Sequence, residues 1–120
     1  MSQYIISPEA IRDLDEIADY FVARNVEAGE GFIDEFTKKC RYLTQFPLMG
    51  RSYSQLRPYL RGIPLQNYII FYRIANDGIE IMRIIRGDRD LEAFFEENGE
   101  EVRKLAILMD HFKLTNSYTY

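Results

Sequence analysis

The side chains of this sequence that are best suited to binding chemistry are arginines. Seven lie between residues 51 and 90, a stretch without lysine, and Arg73, Arg83, Arg86 and Arg89 fall in or beside two apolar runs. A planar guanidinium group binds carboxylate or phosphate through two hydrogen bonds, so this pattern indicates recognition of an anionic partner. The pattern fits the solvated outer face of a sheet equally well, and charge alone leaves both interpretations open.

The remaining residue types give no sign of a metal site or of a catalytic motif. A single cysteine, Cys40, and a single histidine, His111, make a zinc site of the usual kind unexpected, and one cysteine excludes an internal disulfide. The sequence contains no readable nucleophile–base pair, glycine-rich phosphate loop or paired-carboxylate motif. We therefore expect no metal and no cofactor.

The positions of these arginines depend on a β-hairpin that is predicted between Tyr68 and Asp90. Two runs rich in β-branched and aromatic residues flank Asn76-Asp77-Gly78, a turn signal typical of hairpins. Strict alternation along the second strand places Ile79, Ile81, Arg83 and Ile85 on one face and Glu80, Met82, Ile84 and Arg86 on the other. We expect helices to cover one face of this sheet and the other face to keep tyrosine and arginine side chains partly exposed.

The segments before the hairpin are predicted to form the helices that cover one face of the sheet. Helical spacing of apolar residues predicts a helix over Pro8–Arg24, with Ser7 as its N-cap, and a second helix over residues 27–45. A short break between two amphipathic helices predicts an antiparallel helical hairpin. A short strand is expected at Gln3–Ile6, and another within residues 56–65, where Pro64 must lie at a sheet edge or at the end of its strand.

Bulk properties predict one small domain, and the single Cys40 fits a reducing cytoplasm without proving it. The net charge of −4 argues against high-affinity binding of nucleic acid. No apolar run approaches the roughly 18 residues of a membrane helix, and the N-terminus lacks the pattern of a signal peptide. Asp90 is predicted to be the N-cap of a short helix over residues 91–98, and a further helical segment is predicted over residues 100–113.

An ordered set of local motifs makes the chain resemble the RelE/ParE superfamily of type II toxin–antitoxin toxins, and within it the ParE branch. The matching residues are Ser7-Pro8-Glu9-Ala10, Asp13-Leu14, Ile17, Tyr20, Phe46-Pro47, Gly50-Arg51, Leu60-Arg61, Tyr68, Ile70-Phe71-Tyr72-Arg73, Ile79-Glu80-Ile81, Arg83 and Arg89-Asp90-Leu91. The resemblance covers residues 4–95. It implies a toxin domain over residues 1–98, and leaves residues 99–120 as a C-terminal helical extension.

The resemblance implies an α+β fold with an N-terminal strand, an antiparallel helical hairpin, a three-stranded antiparallel sheet and short C-terminal helices. It implies a cognate antitoxin as partner, DNA gyrase as target, a role in plasmid stabilisation and action in the cytoplasm. Homo-oligomers or toxin–antitoxin hetero-oligomers fit the same family. Residues expected to bind a partner are Arg57, Arg61, Arg73, Arg83, Arg86 and Arg89.

Two alternatives remain within the same superfamily. The RelE branch consists of ribosome-dependent mRNA endonucleases, and in that case the catalytic candidates are Arg61, Tyr72, Arg73 and Arg83. Cleavage through a 2′-hydroxyl also needs a general base, and none is evident here. The other alternative is an inactivated member that acts only by binding an antitoxin.

Overall fold

The fold places two helices on one face of a five-stranded mixed sheet. The computed structural model describes residues 3–97. Its elements are β1 (Gln3–Ile6), α1 (Pro8–Arg24), α2 (Val26–Gln45), β2 (Arg51–Ser52), β3 (Arg61–Leu65), β4 (Tyr68–Ala75), β5 (Gly78–Arg86) and α3 (Leu91–Glu97). In this part of the chain no helix combines the length and the apolar character needed to cross a bilayer. The predicted extension over residues 99–120, with its helical segment, lies outside the described residues.

Two polar caps fix the helical hairpin. The Ser7 hydroxyl accepts a hydrogen bond from the Ala10 amide at 3.0 Å and donates one to the Met82 carbonyl at 2.9 Å, so the start of α1 is tied to β5. Asn25 ends α1, and its side chain accepts from the Ala28 amide at 3.2 Å to cap α2. These caps confirm the predicted hairpin, with α2 beginning at Val26.

The strand order is β1-β5-β4-β3-β2. The predicted antiparallel unit of three strands is present as β3, β4 and β5, and the α+β fold class is confirmed. The sheet has two strands more than predicted, because β1 pairs with β5 in parallel and β2 pairs with the first residues of β3. Local patterns could not show the first pairing, which joins Gln3 to Gly78 across most of the chain.

The hairpin turn was located correctly, but its glycine has a different role from the one expected. Neither Asn76 nor Asp77 has a positive φ, so the turn does not depend on a left-handed residue. A Cβ atom at Gly78 would lie 2.0 Å from the Gln3 carbonyl oxygen. Only glycine therefore lets β1 pack this closely against the end of β5.

The prediction of strict alternation along β5 is wrong, because the strand contains a β-bulge. Phe71 pairs with Arg83 and Tyr72 pairs with Ile81, which leaves Met82 as the extra residue. Ile84 therefore packs with Ile79 and Ile81 toward the helices, whereas Ile85 lies in the core on the opposite face.

Both faces of the sheet are covered, which corrects the expectation of an exposed aromatic and cationic face. Cys40 and other side chains of α1 and α2 form one core with β3, β4 and β5. On the other face, α3 and the β2–β3 loop (residues 53–60) form a second core. Its members are Tyr53, Leu56, Leu60, Phe71, Met82, Ile85, Phe94 and Phe95. The sequence predicts α3 but not where this helix packs, since that contact depends on residues far away in the chain.

Candidate functional site

Three of the predicted arginines line one groove at the end of β5. We call it the arginine groove, a depression of about 500 Å³ between α1, β5 and the start of α3. Its polar and aromatic lining residues are Asp13, Glu16, Tyr20, Tyr68, Arg83, Arg86, Asp88, Arg89 and Phe94. The structure thus brings together Arg83, Arg86 and Arg89, and places Arg57, Arg61 and Arg73 elsewhere.

Arg83 is held in place by a carboxylate of α1. Its Nε and Nη2 atoms donate to the Asp13 carboxylate at 2.9 and 3.1 Å, and Asp13 also accepts from the Ile84 amide at 2.9 Å. Strand β1 pairs with β5 only as far as Ile6. Beyond that point, the Asp13 carboxylate accepts the hydrogen bond of the Ile84 amide on the edge of β5. The two ionic side chains are only 14% and 13% exposed, which gives the Arg83 guanidinium a structural partner already within the protein.

Arg86 forms a second ion pair, but at the surface. Its Nε and Nη2 atoms donate to the Asp88 carboxylate at 3.1 and 2.9 Å. This hydrogen bond and the neighbouring charge raise the pKa of Arg86, and the hydrogen bond from Arg86 lowers the pKa of Asp88. Because both side chains are more than half exposed, solvent and salt weaken the pair and another anion can compete for Arg86.

Arg89 and the aromatic residues complete the groove. The guanidinium carbons of Arg89 and Arg83 lie 4.6 and 4.9 Å from the centre of the Phe94 ring, within the range of cation–π contacts. Within residues 3–97, Arg89 has no carboxylate partner. On α1, Tyr20 is about half exposed and carries the Arg24 guanidinium 3.6 Å above its ring. The groove therefore offers exposed cations beside aromatic surface.

Arg61 and Tyr72 lie outside the groove, where they hold a loop. The Tyr72 hydroxyl donates to the Pro47 carbonyl at 2.7 Å and accepts from the Gly50 amide at 2.9 Å. Arg61 donates to the carbonyls of Gly50 and Leu48 at 3.1 and 3.2 Å. A Cβ atom at Gly50 would lie 2.4 Å from the Tyr72 hydroxyl, so this packing also requires glycine.

The last two arginines also have internal contacts. Arg57 donates to the backbone carbonyls of Leu56 and Phe95, and so ties the β2–β3 loop to α3. Arg73 donates to the carboxylate of the fully buried Glu80 at 2.6 Å. Of the four residues considered for RNA cleavage, Arg61 and Tyr72 lie together at the clamped loop, Arg73 binds Glu80 and Arg83 lines the arginine groove.

Comparison with known proteins gives the family. Residues 4–91 match the model of the ParE toxin of the type II toxin–antitoxin system parDE. The chain belongs to this ParE toxin family. It is 28% identical over 93 residues to toxin ParE1 of Mycobacterium tuberculosis, and this match covers 76% of this chain and 95% of that toxin. It is also 29% identical over 82 residues to toxin ParE3 of Caulobacter vibrioides, covering 68% of this chain and 82% of that toxin.

A solved structure has the same fold as this ParE family member. It is described as the chromosomal ParDE TA system from P. aeruginosa, and it superimposes with a TM-score of 0.61 at 24% identity. The match covers 72% of this chain and 96% of the other. The α+β arrangement is therefore shared with a chain of that ParDE structure.

The structure explains several residues that marked the family in sequence. Phe46-Pro47 and Gly50-Arg51 flank the clamped loop, and Tyr72 and Arg61 clamp it. Asp13, which the sequence offers only as part of the motif Asp13-Leu14, is the partner of Arg83 in this ParE fold. Its presence in the family motif was the one signal that it had a specific role. Within residues 3–97, no group of three or more histidine, cysteine or acidic side chains is placed to hold a metal.

Proposed function

We propose that this ParE family member is the toxin of a type II toxin–antitoxin module, that it poisons DNA gyrase, and that a cognate antitoxin neutralises it in the cytoplasm. The observation that carries the proposal is the family match over residues 4–91. The fold shared with the ParDE structure supports it independently of single motifs. In this proposal the protein acts by binding its target, and its own side chains do not cut a nucleic acid.

The arginine groove is the surface we assign to partner recognition. Arg86 and Arg89 are exposed, and they lie next to the aromatic rings of Tyr20, Tyr68 and Phe94. A partner that brings a carboxylate can replace Asp88 on Arg86 and at the same time place apolar side chains on the rings. Arg83 contributes mainly to the shape of the groove, because Asp13 already binds its guanidinium.

The antitoxin is the partner whose chemistry fits this groove best. The groove is lined by three arginines and three acidic side chains, and its most exposed cations, Arg86 and Arg89, lie beside aromatic rings, which fits a segment that carries both acidic and apolar residues. Charges at the rim of an interface act chiefly on the rate of association and on its dependence on salt. We therefore expect antitoxin binding to become slower as ionic strength rises.

Gyrase inhibition is the direct test of the proposed target. Purified protein is added to gyrase and relaxed plasmid, and supercoiling and trapped cleaved DNA are measured on gels. We expect loss of supercoiling together with linear DNA that persists after proteolysis. If supercoiling is unaffected while mRNA is cut in a translation reaction, the endonuclease alternative replaces gyrase as the target.

The role of the groove is tested with a double substitution, Arg86→Ala with Arg89→Ala. Its matched control is Arg12→Ala, which removes an arginine that is 70% exposed on α1 and outside the groove. Where a short open reading frame with a DNA-binding N-terminus adjoins the gene for this chain, its product serves as the antitoxin probe. We expect the double variant to associate with it about tenfold more slowly and the control to be unchanged, a difference of about 1.4 kcal/mol in the barrier. Equal rates for all three proteins would exclude the groove as the antitoxin surface.

A further inference from the structure

Positive charge is concentrated in one continuous stretch of this chain. Residues 36–76 contain seven Lys and Arg residues and no Asp or Glu, although the whole chain has a net charge of −4. All 19 acidic residues therefore lie before or after this stretch. A net charge taken over the whole chain hides a basic region of this kind, which can still attract an anionic partner.

The fold gathers five of these cations along one edge of the sheet, which we call the basic edge. Its members are Lys38, Lys39, Arg51, Arg57 and Arg61. Strand β2 is the outermost strand on this side, and the three arginines lie in β2, in the β2–β3 loop and in β3. The two lysines of α2 line a depression together with Ile63 of β3, so they flank the same edge.

The charges of the basic edge are not neutralised inside the described structure. Within residues 3–97, no carboxylate forms an ion pair with any of the five cations. Arg57 and Arg61 donate hydrogen bonds to backbone carbonyl oxygens, which leave their positive charge in place. The acidic residues at the margins of the edge are Glu35, Asp90 and Glu92. Between these margins the surface is positive.

The opposite side of the sheet has the reverse charge. Strand β1 is outermost there, and the neighbouring strand β5 packs against α1. Helix α1 contains five acidic and two basic residues. This separation of charge gives the protein an electrostatic dipole, which orients the basic edge toward a polyanion during encounter.

A tyrosine in an unfavourable backbone conformation lies in the loop of the basic edge. The Leu60 amide donates to the Arg57 carbonyl at 3.2 Å, so Pro58 and Tyr59 are the central residues of a tight turn. Tyr59 has a φ of 64°, and the second central position of such a turn is normally occupied by glycine or asparagine. Its side chain is 83% exposed. Glycine fits this position without strain, whereas a tyrosine does not.

The fold gives no reason for a tyrosine at this position. Within residues 3–97, the Tyr59 ring takes part in no aromatic or cation–π contact, and its hydroxyl makes no hydrogen bond. Backbone strain that the fold does not need is found mainly at functional sites. The side chain of Tyr59 is therefore available to a partner of the basic edge.

We propose that the basic edge binds the phosphate backbone of duplex DNA and that Tyr59 contacts the same DNA. Cations on several elements suit the repeated phosphates of a duplex, and a tyrosine hydroxyl donates to a phosphate oxygen. An acidic protein segment fits less well, because β2 has only two residues and offers little backbone to an added strand. This inference rests on the proposed function, since a poison of gyrase acts where that enzyme holds DNA.

Direct binding of DNA tests the proposal without gyrase. The full-length protein is added to fluorescein-labelled duplex DNA of about 20 base pairs, and anisotropy is measured from about 50 to 200 mM salt. Lys38→Gln with Arg51→Gln should weaken binding and should reduce the slope of log K against log salt concentration by about 2. The matched control, Arg12→Gln with Arg24→Gln, makes the same change in net charge on α1 and should leave the slope unchanged.

Tyr59→Gly separates the contact with DNA from the stability of the fold. The substitution removes the backbone strain, so the thermal midpoint should not fall, whereas DNA binding should weaken about fivefold. The control is Gln66→Gly, because Gln66 is also exposed and has a φ of 53° in the β3–β4 turn. Equal DNA binding by these two variants would show that Tyr59 does not contact DNA.

Assays with gyrase and with the antitoxin distinguish the other outcomes. If Lys38→Gln with Arg51→Gln keeps both the salt slope and full inhibition of gyrase, the basic edge does not bind DNA, and the proposed target is unaffected. If the unmodified protein binds DNA through this edge but does not inhibit gyrase, the proposed target is wrong and the DNA-binding edge stands. If this variant binds DNA normally but associates more slowly with the antitoxin, the edge binds an acidic protein segment and the proposal is overturned.

Discussion

Replacing Asp13 with asparagine should lower the free energy of unfolding by about 2–4 kcal/mol, since asparagine cannot maintain the ion pair with Arg83. Asp13 accepts two hydrogen bonds from Arg83 and one from the Ile84 amide. Removing one partner of a fully buried pair costs about 3–5 kcal/mol. The expected loss is smaller here, because both side chains keep some contact with water and because asparagine retains one acceptor oxygen.

Urea denaturation followed by far-UV circular dichroism measures this loss. The matched control is Asp15→Asn, which makes the same chemical change at an exposed position of the same helix and should alter stability by less than about 0.5 kcal/mol. A double-mutant cycle with Arg83→Met then isolates the pair, for which we expect a coupling of about 1–3 kcal/mol. The reasoning is refuted if Asp13→Asn and Asp15→Asn unfold at the same urea concentration as the unmodified protein.

Three further predictions concern the clamped loop, the contact between β1 and β5, and the buried Cys40. Tyr72→Phe leaves a loop amide and a loop carbonyl without their partner and should cost about 1–3 kcal/mol in urea denaturation, whereas Tyr59→Phe, at an exposed position, should cost almost nothing. Gly78→Ala forces β1 away from β5 and should lower the thermal midpoint by several degrees, while Gly31→Ala, which has open space around it, should not lower it; equal midpoints would contradict the packing role of Gly78. Burial raises the pKa of the Cys40 thiol to about 12, so at pH 8 a thiol reagent should label it only after unfolding in urea, and rapid labelling of the native protein would contradict that burial.

The sequence was informative where the signal was local. Ser7 and Asn25 marked the caps of the helical hairpin, and the turn at Asn76-Asp77 marked the β-hairpin, because caps and turns depend on residues a few positions apart. The bulge at Met82 was not predictable in the same way. It depends on how β5 meets β4, and it moved Ile85 to the face opposite from the one that alternation predicts.

For the site, the sequence provided the right residue type but not its geometry. It singled out six arginines, and only the folded chain divides them into those that line the groove and those that hold the structure. Asp13 lies 70 residues from Arg83, so no local pattern shows that the two form a pair. The exposure of Phe46 was equally unpredicted, since Phe46 continues the apolar period of α2, yet its side chain is 51% exposed.

By itself, then, the sequence determined the family, the α+β class and the positions of the helices and the hairpin, because those follow from motif order, periodicity and capping residues. The tertiary structure decided which arginines remain exposed to a partner, which are already bound to Asp13, Glu80 or backbone carbonyls, and which apolar residues remain uncovered. The physical reason is that a charged or apolar side chain is available for binding only when the fold has not already provided its partner. That condition depends on contacts between residues far apart in the chain.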